Sequence, residues 1–178
     1  MRLFIAINLD DKTRAGVCRV IEGLKPHARK GRFTPAENLH LTLVFIGETN
    51  RVSAVQGAMD ELQFPAFTVA VGELGRFSRP CGDIYWLGVE GESLEPLHRQ
   101  LRDSLVGRGF ALERRKYKPH LTLGRELVLP RELDLWGLGP REPLAMEVKK
   151  ISLMQSERIR GRMRYTEIYS RPLKEAER

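Results

Sequence analysis

The tetrapeptide His-Leu-Thr-Leu occurs twice, at His40–Leu43 and His120–Leu123, in a chain with only four histidines. Alternate side chains of an extended strand face opposite ways. Each copy therefore puts a histidine and a threonine on one face (His40 with Thr42, His120 with Thr122) and two leucines on the other. The leucines call for a core, and the polar pairs for a space outside it. The surroundings repeat too. Ile5 to His40 is 35 residues and Trp86 to His120 is 34, and each interval reads strand, helix, short connection, motif. The pattern predicts an α+β fold of two pseudo-symmetric lobes. Antiparallel sheets form a central cleft, helices cover the outer faces, and the two polar faces meet in the cleft.

Apolar periodicity supplies the remaining elements. Leu3–Leu9 reads as a buried strand, and Asp10 as the cap of a helix over 12–24 with Val17, Val20, Ile21 and Leu24 on one stripe. Further helices are predicted over Val52–Leu62 and Leu94–Val106, the latter capped by Ser93 and ended by Gly107 and Gly109. Phe33–Pro35 is a loop or short edge strand. Strands are predicted at His40–Ile46, Phe67–Val71, Ile84–Val89, Ala111–Arg114, His120–Leu123, Leu144–Met154 and Tyr165–Tyr169. No Gly/Ser-rich or Pro-rich linker interrupts the chain, so residues 1–178 are expected to form a single bilobal domain.

With 178 residues, 42% of them hydrophobic and 30% charged, the chain is long and apolar enough to bury an interior. Its apolar stretches are too short to cross a bilayer, and Leu3–Ile7 is too short for a signal-peptide core. No membrane partner is expected, and the expected location is the cytoplasm. Cys18 and Cys81 form no metal-like or redox pair, in keeping with reduced thiols. The net charge of +7 favours anionic partners such as nucleic acid.

Two histidines and two hydroxyls in one cleft suit displacement at phosphorus. The attacking and leaving oxygens lie on opposite sides of the phosphorus, so one side needs a base and the other an acid. Imidazole serves either role near neutral pH. The threonine hydroxyls can donate to the non-bridging oxygens. One HLTL alone would read as a half-buried strand, and it is the pairing that points to function. Zinc is the competing chemistry, but it wants three or four nitrogen, sulfur or carboxylate ligands, and no Asp or Glu stands in either motif. No metal and no cofactor is expected.

The segments "RLFIAI", "PAENLHLTLVFIG", "RFSRP…YWLGV" and "YKPHLTLGR", with a C-terminal hairpin "ISLMQSERIRGRMRYTEIY", cover nearly the whole chain. Together they resemble the two-histidine phosphoesterases, specifically the bacterial and archaeal RNA 2′,3′-cyclic phosphodiesterases also called 2′-5′ RNA ligases. The resemblance implies a cleft holding His40, Thr42, His120 and Thr122, with His120 as base, His40 as acid and Arg125 as a phosphate or RNA ligand. It implies metal-independent opening of a 2′,3′-cyclic phosphate to a 2′-phosphate on an RNA end, tRNA fragments included, or on a small cyclic nucleotide. A 2′-5′ ligation by the reverse path, and an RNA-binding module without turnover, are the alternatives. A monomer is expected.

Other residues carry less pattern. Phe45 is read onto the polar face beyond Thr42, as a surface for base stacking or as a packing residue of the wall. "RIRGRMR" puts Arg158, Arg160, Arg162 and Arg164 around a turn at Gly161, with Arg160 and Arg162 as guides for the RNA backbone. As one extended strand the four arginines would share a face. His27 and His98 lack a threonine two residues on and read as surface residues. Trp86 reads as core, and the "GELG" and "GLG" fragments as turns.

Overall fold

The computed structural model describes residues 1–176. Its elements run β1 (Arg2–Asn8), α1 (Asp11–Leu24), β2 (Lys30–Phe33), β3 (His40–Glu48), α2 (Val52–Asp60), β4 (Phe67–Phe77), β5 (Asp83–Glu90), α3 (Leu94–Gly107), β6 (His120–Val128), β7 (Leu144–Val148), β8 (Lys150–Ile159) and β9 (Arg162–Pro172). The Asp10 carboxylate accepts from the Thr13 amide at 2.7 Å and caps α1. Val17, Val20, Ile21 and Leu24 form its buried stripe. Ser93 does not cap α3. Its backbone is already helical, so its hydroxyl cannot turn back onto the first amides. Leu94, Leu97, Leu101 and Leu105 anchor that helix instead.

The strands are antiparallel and lie in the order β7-β4-β5-β6-β3-β1-β8-β9, with β2 also on β6. The two lobes are β3-β1-β8-β9 and β7-β4-β5-β6. They make one continuous sheet rather than two, joined by a single pair, Leu41 with Leu121. Beyond that pair β3 and β6 part company, and β2 takes up β6 from Gly124 onward. The gap between them is the cleft.

Helices back the leucine face. In α1, Gly16 packs so closely on Leu144 of β7 that an added Cβ would come within 2.6 Å of it. His98 of α3 bonds the Leu43 carbonyl of β3. One core cluster runs through both lobes and contains Leu41, Leu43, Leu121 and Leu123. A small separate cluster of Phe4, Ala6 and Met154, with Tyr165 against it, lies on the cleft side.

Three predicted strands are corrected. Phe67–Val71 continues as β4 to Phe77, so the "GELG" fragment lies in a strand and is not a turn. Residues 111–114 form no strand; the lead-in to β6 crosses toward β3 and makes side-chain contacts rather than a ladder. The Leu144–Met154 run is two strands broken at Lys149, because β7 pairs with β4 in one lobe and β8 with β1 in the other. The internal repeat sharpens by one residue. Thr42 pairs with Ala6, and Thr122 with Trp86. Ala6 to His40 (40 − 6) and Trp86 to His120 (120 − 86) are then both 34 residues.

Candidate active site

Strict alternation carries His40 and Thr42 into the cleft but would send Phe45 to the core. A β-bulge intervenes. Ala6 faces Thr42 while Ile5 faces Val44, so Leu43 is the extra residue in β3. Leu43 and Val44 are both buried, and Phe45 rejoins the cleft face. The second motif does the same. Trp86 faces Thr122 and Tyr85 faces Gly124, so Leu123 is the extra residue and Arg125 returns to the cleft. Gly124 is required there: a Cβ would meet Leu127 Cδ1 at 2.6 Å and the Arg32 carbonyl at 2.9 Å. His40, Thr42, Phe45, His120, Thr122 and Arg125 consequently line one cavity of about 330 Å³.

Both imidazoles are held alike. His40 Nδ1 lies 2.7 Å from the Asn38 carbonyl and His120 Nδ1 lies 2.6 Å from the Lys118 carbonyl. A carbonyl only accepts, so each Nδ1 carries the proton and each Nε2 is left for the cavity. His40 Nε2 is 3.0 Å from Thr42 Oγ1. Phe4 and Tyr165 flank the His40 ring, at 4.8 and 5.1 Å between centroids, and Phe77 stands edge-on to His120 at 5.3 Å. Burial is the main cause lowering both imidazole pKa values from their ordinary position. Each anchoring carbonyl opposes it, while the Arg125 charge lowers both further.

The lead-in to each motif reaches across to the other. Tyr117, three residues before His120, donates its hydroxyl to the Thr42 carbonyl at 3.1 Å. Thr34, six residues before His40, donates to the Thr122 carbonyl at 2.9 Å. Burial pushes the Tyr117 phenol up, so it stays a donor. His98 stacks on Tyr117 at 4.2 Å between centroids and bonds the Leu43 carbonyl at 2.8 Å. The first motif is thus gripped through two consecutive carbonyls at its bulge.

The sequence model of the 2′-5′ RNA ligase superfamily matches residues 13–160. The chain belongs to this superfamily. A protein of Methanothermobacter thermautotrophicus named RNA 2′,3′-cyclic phosphodiesterase is 34% identical over 168 residues, covering 88% of this chain and 90% of its own. One of the same name from Thermotoga maritima is 34% identical over 142 residues, 76% of this chain and 74% of its own. The crystal structure of Escherichia coli LigT complexed with 3′-AMP superposes with a TM-score of 0.82 over 97% of each chain, at 29% identity.

Arg160 and Arg162 do not line the cavity of this superfamily member. Arg160 and Gly161, both at positive φ (49° and 80°), form the two-residue turn between β8 and β9. Across it Arg158 pairs with Met163, and Arg162 with Ile159. Met163 and Tyr165 line the cavity, so Arg158 stands on their face while Arg162 and Arg164 alternate onto the other. The four arginines do not share a face. His27 sits in a single 3-10 turn and does not line the cavity. His98 is no plain surface residue, as its stack and hydrogen bond show. Trp86 is buried but stands near His120, at 6.4 Å between rings. Sequence reasoning missed Phe4, Thr34, Asn38 and Tyr165 as cavity residues. Nothing in the sequence marks Asn38, which follows Glu37 in a mixed lead-in; its amide donates to the Met163 carbonyl at 2.9 Å and ties the hairpin to the first motif. Among the described residues, no three His, Cys, Asp or Glu side chains cluster as a metal site would.

Proposed function

We propose that this chain hydrolyses the 2′,3′-cyclic phosphate at an RNA end to a 2′-phosphate, by acid–base catalysis with two histidines. The observation that carries the reading is the matched pair of imidazoles, each anchored at Nδ1 and offering Nε2 to one cavity that Arg125 also lines. The names of the relatives support the substrate class.

In this reading His120 Nε2 takes a proton from water, and the water oxygen attacks phosphorus opposite the 3′-oxygen. The bond from phosphorus to the 3′-oxygen breaks, and protonated His40 Nε2 gives that oxygen its proton. Thr42, Thr122 and Arg125 hold the non-bridging oxygens, where charge accumulates. His120 ends protonated and His40 neutral, and exchange with solvent resets the pair. Phe45 offers its face to a base, and the charges of Arg160 and Arg162, outside the cavity, attract RNA on its approach. The same steps with an RNA 5′-hydroxyl in place of water, attacking phosphorus as the bond to the 3′-oxygen breaks, would give 2′-5′ ligation. Both histidines come from one chain, so a monomer suffices. Fragments of tRNA that end in a 2′,3′-cyclic phosphate would be substrates.

The test uses a dinucleotide ending in a 2′,3′-cyclic phosphate. His40→Ala and His120→Ala should each lower kcat by about 10²–10⁴-fold. Near wild-type turnover in either variant overturns the reading, and oligonucleotide binding without turnover in the wild type would make the chain a binding module. The reaction drawn uses no metal, so activity should survive EDTA; loss restored by zinc or magnesium would replace it with metal chemistry. Sulfur in place of the 3′-oxygen assigns the roles. A thiol of pKa about 8.5 leaves without protonation, so this substrate should rescue His40→Ala and not His120→Ala. Rescue of His120→Ala alone reverses the roles.

A further inference from the structure

The cavity opens on one side into a second groove of about 390 Å³. The groove shares Thr42, Phe45 and His120 with the cavity, so anything filling both passes the reacting centre. Its walls are basic. Arg102 comes from α3, Arg115, Lys116 and Lys118 from the lead-in to β6, and Arg79 from the turn after β4. Glu113 is the one carboxylate lining it, and Arg115 neutralises that at 2.6 Å. Among the described residues, no carboxylate lies within ion-pair distance of Arg79, Lys116 or Lys118, and Arg102 has only its exposed neighbour Asp103, at 3.8 Å.

Phe45, Phe77 and Tyr117 stand between these charges. Phe45 is 47% exposed at the threshold. Lys118 Nζ sits over the Phe77 and Trp86 rings, at 5.0 and 5.1 Å from their centroids, and so is held beside His120. Cations spaced along a trough with the exposed Phe45 ring at its threshold suit single-stranded nucleic acid, whose phosphates meet the cations while a base stacks on that ring.

The cyclic phosphate sits on the last ribose of an RNA, and the rest of the chain leaves from the 5′-oxygen of that ribose. A groove leading out of the cavity is where the preceding nucleotides would go. Resting on the cyclic-phosphate reading of the cavity, we propose that this groove is the subsite for the penultimate nucleotides of a single-stranded RNA. Lys118 meets the phosphate next to the terminal nucleotide, and Arg102 and Lys116 meet the phosphate before it. The preferred substrate is then an oligonucleotide, and a mononucleotide or small cyclic metabolite leaves the groove empty.

The test compares a nucleoside 2′,3′-cyclic phosphate with a trinucleotide of the same terminal base, using wild type, Arg102→Ala, Lys116→Ala and the double variant. Wild-type kcat/KM should be at least about tenfold higher for the trinucleotide, since its phosphates gain charge-assisted hydrogen bonds. Each single substitution should lower trinucleotide kcat/KM several-fold and leave the mononucleotide unchanged. Each should also reduce the slope of log kcat/KM on log salt by roughly 0.7 for every phosphate that is no longer neutralised. Equal kcat/KM for both substrates, or a trinucleotide rate indifferent to these substitutions, overturns the proposal. A length preference that disappears only in Arg160→Ala/Arg162→Ala would route the RNA over the hairpin instead. If wild type turns over neither substrate, the cyclic-phosphate reading has failed. The groove is then judged by fluorescence anisotropy of a labelled 3′-phosphorylated trinucleotide, where equal affinity of wild type and double variant rejects it.

Discussion

The two imidazoles are tuned by opposing influences. Burial and the Arg125 charge lower both pKa values, while the Asn38 and Lys118 carbonyls pull them back. Depression suits a base, which must be neutral, but an acid must hold a proton. The negative charge of a bound cyclic phosphate supplies the compensation by favouring imidazolium. The kcat/KM profile, which reports the free enzyme, should therefore peak on the acid side of the ordinary imidazole value of about 6.5. The limbs of kcat, which report the complex, should lie higher. Arg125→Gln should move both limbs of kcat/KM upward while lowering its maximum, because the charge that lowers both imidazoles is also the proposed phosphate ligand. A profile unchanged in position would mean that Arg125 does not act on the histidines. Stability follows the same shifts. Both groups bind protons less readily folded than unfolded, so their contribution is present above about 6.5 and is lost as pH falls through the depressed folded values. Urea midpoints between pH 7 and 5 should fall less steeply in His40→Asn than in wild type.

Among the elements, the bulges and the crosswise hydrogen bonds decide the site. Tyr117→Phe removes the donor to the Thr42 carbonyl and should cost about 1–2 kcal/mol of stability. It should also lower kcat more than it raises KM, because it loosens the strand that carries the His40–Thr42 pair. A fall in melting temperature with kcat intact would confine Tyr117 to supporting the fold. Gly124→Ala should cost about 1–3 kcal/mol, since its Cβ must displace Leu127 or β2. The helices were legible in the sequence because four buried side chains recur at helical spacing in α1 and in α3. The motif strands were legible because His-x-Thr alternates with leucine. The bulges were not, because an extra buried residue looks the same as an apolar run. Phe45 stands on the cleft face, yet period-two counting from Thr42 does not lead there. The division at Lys149 was hidden for a similar reason, since strands entering different lobes leave no mark between Val148 and Lys150. His98 was misread because its partner, the Leu43 carbonyl, lies 55 residues away.

For the whole molecule the question is whether two lobes joined by one backbone pair behave as one body. The pair is Leu41 with Leu121, and both are buried, at 1% and 0% exposure. Backbone pairing across the join is slight, yet the core does not divide there: one cluster contains β1, β3 and β8 residues together with β5, β6 and β7 residues. The chain also crosses between lobes repeatedly. It passes from β1 to α1 on β7 and to β2 on β6, back to β3, and from β7 to β8. Neither lobe is a contiguous stretch that could fold alone, and each motif's lead-in is bonded to the other lobe. We therefore propose that residues 1–178 form one cooperative domain, and calorimetry should record one transition whose van't Hoff and calorimetric enthalpies agree. Leu121→Ala should cost about 2–5 kcal/mol. At roughly 2–4 °C per kcal/mol for a chain of this size, that lowers the transition by about 4–20 °C without splitting it. Two transitions in wild type, or a split one in Leu121→Ala, would mean that the lobes fold separately. The cleft would then be a hinge between domains, and the fixed separation of His40 and His120 on which the acid–base reading depends would be lost.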